Sequence, residues 1–148
     1  MGFRFALEAV LHYRRSLEHQ QELRLRAIYQ QVAAVRHAID RIDKSMRRME
    51  DARREQLHCG TTAAELRFAQ SCVESMQRQR AEAERNLKQL HQLCEQQRKI
   101  FERARRERET FESLRERLRR EYEREAARRA QRQLDDLFLL RRVYLRHG

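Results

Sequence analysis

The sequence predicts an all-α protein, with two long helices forming an antiparallel coiled-coil hairpin of unequal arms. Three observations carry this. The 148 residues include no proline, and of three glycines only Gly60 lies inside the chain, Gly2 and Gly148 standing at the ends. Helix therefore has one easy point of interruption. The side chains are 39% charged and 40% hydrophobic, with 7% aromatics and no Trp, a composition typical of coiled coils. Finally, apolar residues recur at heptad spacing on both sides of Gly60.

The first helix is expected over about residues 3–58. Its stripe is Leu25, Ile28, Val32, Val35, Ile39, Ile42, Met46 and Met49, alternating steps of three and four. That spacing gives a left-handed supercoil against a partner helix. Extended backwards, the register meets Gln21, Glu18 and Arg14 before Leu11 and Leu7, so the seam is expected to loosen there. A turn follows over residues 59–62. Thr62 with Glu65 three positions later has the capping-box pattern that opens a helix, and the second helix is expected over about 63–145. Its stripe runs through Leu66, Ala69, Val73, Met76, Arg80, Ala83, Leu87, Leu90, Cys94, Gln97, Phe101, Ala104, Arg108 and Phe111. Beyond Phe111 only Leu114, Leu118 and Tyr122 continue it.

A fold at residues 59–61 sets residue i opposite roughly residue 120 minus i, so both arms become polar at about the same height. The alternative, a parallel dimer of unbroken helices, conflicts with Gly60 and the cap beside it. The whole chain, 1–148, then reads as a single coiled-coil domain. At about 1.5 Å per residue the arms measure on the order of 80 and 120 Å. The end of the second helix is thus expected to overhang the first. Residues 116–133 of that end are mostly charged. Leu134–Leu145 is largely apolar, an exposed patch of the kind that marks a contact site.

The formal net charge of +11 favours acidic partners. Yet Glu is interspersed with the Arg nearly everywhere: Glu102–Arg132 holds 12 Arg and 8 Glu. Pairs such as Glu84–Lys88, Glu95–Lys99, Glu102–Arg106, Glu116–Arg120 and Glu125–Arg129 have the stabilising i, i+4 orientation. Most of the charge is therefore read as a solvated, self-paired helix face. A basic zipper would place a Glu-poor basic region before its seam, so no dedicated nucleic-acid reader is expected; a basic nucleic-acid-binding helix or a generic coiled-coil scaffold is the alternative reading. For Leu134–Leu145 a protein partner is preferred to lipid, because Asp135 and Asp136 oppose anionic headgroups.

Three cysteines, Cys59, Cys72 and Cys94, without paired spacing give no disulfide framework and point to a reducing compartment. The longest apolar run, Leu137–Leu140, is too short to span a bilayer, and Met1–Leu17 has neither a signal-peptide core nor a myristoylation pattern. No catalytic constellation or Gly-rich phosphate loop is found, so no enzymatic activity and no cofactor are expected. His91 and Cys94 share a helix face but lack further ligands, so no metal is assigned.

The opening string Phe3-Arg4-Phe5-Ala6-Leu7-Glu8-Ala9-Val10-Leu11, followed by Tyr13, Arg14, Arg15 and Glu18, resembles the start of the flagellar export protein FliJ family. Phe111-Glu112-Ser113-Leu114, Tyr122 and Gln133-Leu134-Asp135-Asp136 are similar to that family's closing segment, with Asp136 in place of Glu and a bulkier Leu137–Leu140 after it. The resemblance implies a non-catalytic, soluble component of the flagellar type III protein export apparatus, hence a role in flagellum biogenesis, motility and chemotaxis. It also implies a stalk-like coiled coil in the cytoplasm, peripheral at the inner membrane. The implied partners are the export ATPase ring, the cytoplasmic domain of the export gate and export chaperones. Carried over by position, Phe3, Phe5, Leu7, Val10 and Leu11 with Leu134, Leu137 and Phe138 would touch the ring. Phe68, Cys72, Met76 and Gln79 would meet the gate or a chaperone, although Met76 also fits a plain seam position.

Overall fold

The computed structural model describes residues 2–148 and consists of two helices, α1 (Glu8–Cys59, 52 residues) and α2 (Ala63–His147, 85 residues). They pack against each other as an all-α helical hairpin with no strand among the described residues. The chain divides into two compact units: residues 20–102, and residues 1–19 together with 103–148.

The first unit contains the turn. Gly60 has φ +88°, a left-handed conformation that ends α1 and that residues with a Cβ adopt only at a cost. Thr62 and Glu65 then cap α2 reciprocally. The Glu65 N–H donates to Thr62 Oγ1 at 3.3 Å, and the Thr62 N–H donates to Glu65 Oε2 at 3.3 Å. Thr61 adds its hydroxyl to the same carboxylate at 2.8 Å. The capping-box reading of the sequence describes this geometry correctly.

Within this unit the helices run antiparallel, and the heptad stripes form the seam. Leu25, Val32 and Leu90 are buried. Ile28, Val35, Ile39, Ile42, Met46, Met49, Val73, Met76 and Leu87 are half-buried, as expected where each helix has one neighbour and no third layer. Polar residues in the stripe are paired across it. Arg80 Nε donates to Asp43 Oδ1 at 2.6 Å, and Arg80 also pairs with Glu84 along α2. Gln97, itself buried, donates through Nε2 to Gln21 Oε1 at 2.7 Å and to the Gln21 carbonyl at 3.2 Å.

In the second unit the start of the chain departs from expectation. The helix begins at Glu8, not near residue 3; residues 2–5 are non-helical and Ala6–Leu7 form a turn. The Glu8 N–H bonds the Phe5 carbonyl at 3.2 Å. In a helix, residues two apart point to nearly opposite sides, so Phe3 and Phe5 could not both reach α2. Outside the helix they do: Phe5 is buried, and the Phe3 ring stands 5.8 Å from that of Tyr122. Leu11 is fully enclosed, with Phe111 and Leu114 of α2 half-buried in the same unit.

Replacing Thr62 with Ala removes one half of the reciprocal cap. Loss of such a cap is expected to cost about 1 kcal/mol, read as a lower urea midpoint with an unchanged slope.

Candidate functional site

The polar stretch of the N-terminal arm is joined to α2 by a series of ion pairs. Arg108 donates two hydrogen bonds to Glu18, Nε–Oε2 at 2.6 Å and Nη2–Oε1 at 3.1 Å, and a third to Glu112 at 2.6 Å. Arg15 reaches Glu112 from the other helix at 2.9 and 3.1 Å. Glu8 pairs with Arg115 at 2.9 Å, and Arg14 with Glu107. The Arg14 guanidinium lies 5.8 Å from the centre of the Phe111 ring, while its buried Nε has no hydrogen-bond partner; the ring face offsets part of that loss.

Arg108 and Glu18 are the most enclosed members, with side chains 20% and 18% exposed. The Glu18 carboxylate, ahead of burial and Glu112, determines the shift of Arg108 and holds its guanidinium above its ordinary value. Burial acts on Glu112 in the opposite sense, yet hydrogen bonds from Arg108 and Arg15 keep it below the usual carboxylate range. Asp43 is lowered by its bond from Arg80, and Glu116 by its bond from Arg119. The sequence suggested a loosened seam here. The structure replaces that with matched charges, because Arg and Glu are long enough to bridge the two helices.

The residues carried over from the ring-binding resemblance fall into two groups. Phe5 and Leu11 are buried, Phe3 and Val10 are half-buried and Leu7 is exposed. The buried and half-buried members pack the N-terminal arm onto α2. Leu134, Leu137 and Phe138 lie farther along α2, where every residue from Arg117 to Gly148 is exposed. The two groups are not brought together: Tyr122, where Phe3 packs, precedes Leu134 by twelve residues, about 18 Å of helix.

The second set separates differently. Phe68 is 73% exposed, Gln79 is exposed, and Cys72 and Met76 are half-buried. Met76 is half-buried at a heptad position of α2. Phe68 instead borders an open groove with Met49, Ala52, Gln56, Ala64 and Ala69 beside the turn. The sequence reading missed this groove. Its signal was the appearance of Ala52, Ala64 and Ala69 where larger seam residues run out on both sides of Gly60.

Along α2 the charged stretch pairs largely with itself. Glu116 accepts from Arg119 and Arg120, and Glu125 from Arg129. Two expected partners change: Glu84 pairs with Arg80 and Glu95 with Arg98. Among the described residues no group of three or more His, Cys, Asp or Glu could hold a metal ion, and no helix is long and apolar enough to cross a membrane.

The family profile described as "Flagellar FliJ protein" matches residues 3–147. No curated protein and no solved structure matches the chain.

Glu112, Glu116 and Asp43 all ionise more readily in the folded chain than their ordinary values. Their contribution is thus complete above the unfolded carboxylate range of about 4 and is lost as pH falls through the lower folded values. The melting temperature is expected to hold between neutrality and pH ~5 and to drop in more acid solution. Glu112→Gln should make that acid slope shallower in a thermal melt.

Proposed function

The chain belongs to the FliJ family of flagellar proteins, and we propose that it is the non-catalytic helical hairpin of the flagellar export apparatus that engages the export ATPase ring. The family fixes the coarser statement, a component of flagellar export. The observation that carries the finer reading is the end of α2. Leu134, Leu137 and Phe138 are each more than 60% exposed on a continuous helix that α1 no longer covers. Large apolar side chains held in water without a partner favour a docking surface, and a helix that is already formed loses less entropy on docking than a disordered tail.

In this reading the N-terminal residues Phe3, Phe5 and Leu11 act indirectly, by holding the N-terminal arm against α2, and Leu7 and Val10 lie at the edge of the contact. The groove edged by Phe68, with Cys72 and Gln79 further along α2, is the surface for the export gate's cytoplasmic domain or an export chaperone. The net charge of +11 raises the encounter rate with acidic partners. Association with the membrane is peripheral, and the site of action is the cytoplasmic side of the export apparatus.

Leu137→Asp with Phe138→Asp should leave far-UV helicity and thermal melting nearly unchanged, because neither residue is packed. Binding to the purified export ATPase ring should weaken by roughly tenfold or more, as for loss of a central apolar anchor. Undiminished binding would remove the C-terminal segment from the contact. Phe68→Asp serves as the comparison, with ring binding retained and capture by the gate domain or a chaperone reduced.

A further inference from the structure

At about 100° per residue, the exposed end of α2 divides into two sectors. Leu134, Leu137, Phe138, Leu140, Tyr144 and Leu145 fall within an arc about 160° wide, and all are more than half exposed. Ala126, Ala127 and Ala130 prolong the arc toward the N-terminus. Only Gln133 and Arg141 interrupt it. The far side carries most of the charge, including Arg128, Arg132, Arg142 and Arg146. From Arg124 to Arg146 seven arginines stand against three carboxylates, Glu125, Asp135 and Asp136.

This geometry removes the objection raised from sequence. Asp135 and Asp136 lie roughly 140° and 120° from the midline of the arc, so they point away from whatever the arc contacts. Arg141, by contrast, lies about 20° from the midline. An apolar protein groove without a facing carboxylate would leave it a desolvated, unpaired cation. At a lipid surface its stem lies along the acyl chains and its guanidinium reaches the headgroup phosphates. An apolar arc opposite a charged face also suits a planar lipid boundary. Phe138 and Tyr144 are side chains favoured at such a boundary, and the arginine excess matches anionic headgroups. Because among the described residues no helix is long and apolar enough to cross a membrane, the segment would lie on the surface.

We propose that residues 126–146 form an interfacial helix that docks the chain on anionic phospholipid. This goes beyond the proposed ring contact and shares Leu134, Leu137 and Phe138 with it. Bilayer and ring therefore compete for the same residues.

The test is sedimentation of the full chain with vesicles of phosphatidylcholine, or of equal parts phosphatidylcholine and phosphatidylglycerol. The anionic vesicles should bind roughly tenfold more strongly, and salt should weaken the binding. Tyr144→Asp with Leu145→Asp, both within the arc and outside the ring contact set, should lose at least tenfold. Leu139→Ser with Val143→Ser removes two apolar residues from the far side and should bind as the unaltered chain does. Circular dichroism checks that both variants keep their helix. Equal binding to neutral and anionic vesicles, equal loss from both variants, or no vesicle binding would each overturn the proposal. If vesicle binding is absent and Tyr144→Asp with Leu145→Asp impairs ring binding instead, the arc is a protein surface. The ring assay on Leu137 and Phe138 stands independently of these outcomes.

Discussion

A helix packed against a single neighbour buries one stripe and leaves the rest of its surface in water. That constraint explains why so few residues in this chain are enclosed, although its apolar pattern is regular for many turns. Leu25, Val32 and Leu90 are covered in one unit, Phe5 and Leu11 in the other; most remaining seam residues stay half-exposed. Each unit must therefore use every position of its stripe. Where the stripe holds Arg80 or Gln97, a partner stands opposite in Asp43 or Gln21. Where it holds Glu18, Arg108 binds both its oxygens.

Such pairing does more for register than for stability. Partly exposed ion pairs contribute little, because water already solvates the separated charges. A shifted alignment is penalised far more heavily. Sliding α1 by one heptad would separate Glu18 from Arg108 and Gln21 from Gln97, and in one direction would set Gln97 beside Ile28. The apolar heptads alone do not discriminate between such alignments, since each repeat resembles the next. The polar residues act here as a buried Asn acts in a coiled coil, fixing which turns meet. The arrangement is strongest in the unit that contains the chain's beginning, where Glu8, Arg14, Arg15 and Glu18 all reach across to α2.

The helical hairpin was legible because it rests on local rules. Gly60 is the only internal residue that takes φ > 0 without strain, and Thr62 with Glu65 encodes its cap in four residues. Heptad spacing identified each of the two stripes without reference to the other. What was not legible depends on alternatives that local rules leave equal. Phe3 and Phe5 suit a helix as well as an extended start, and the choice follows from where α2 offers Tyr122. Glu84 has Arg80 before it and Lys88 after it, and Glu95 has Arg98 and Lys99 both after it, so i, i+4 spacing alone does not select the partner. The candidate contact residues differ in cover for a similar reason. Apolar residues near both ends look alike in sequence, but Leu11 has a neighbour to cover it and Leu137 does not.

The last third of α2 raises a physical question of its own, because it stays helical without a seam. Isolated helices gain nothing from tertiary burial and pay a nucleation cost that short segments rarely recover. Here nucleation has already occurred, since residues up to Leu114 are packed and elongation needs only propagation. Between Phe111 and Gly148 the sequence is rich in Arg, Glu, Ala and Leu, with Val143 the only β-branched residue; strong helix formers favour propagation. Glu116 with Arg120 and Glu125 with Arg129 add ion pairs in the favourable orientation. The helix therefore extends the packed unit into solvent with its apolar arc already in register. A partner or bilayer that takes up this arc meets a surface whose ordering cost was met during folding, so more of the apolar burial is retained as affinity. The same argument explains the composition: paired charges and strong helix formers hold the segment helical while its leucines stay exposed.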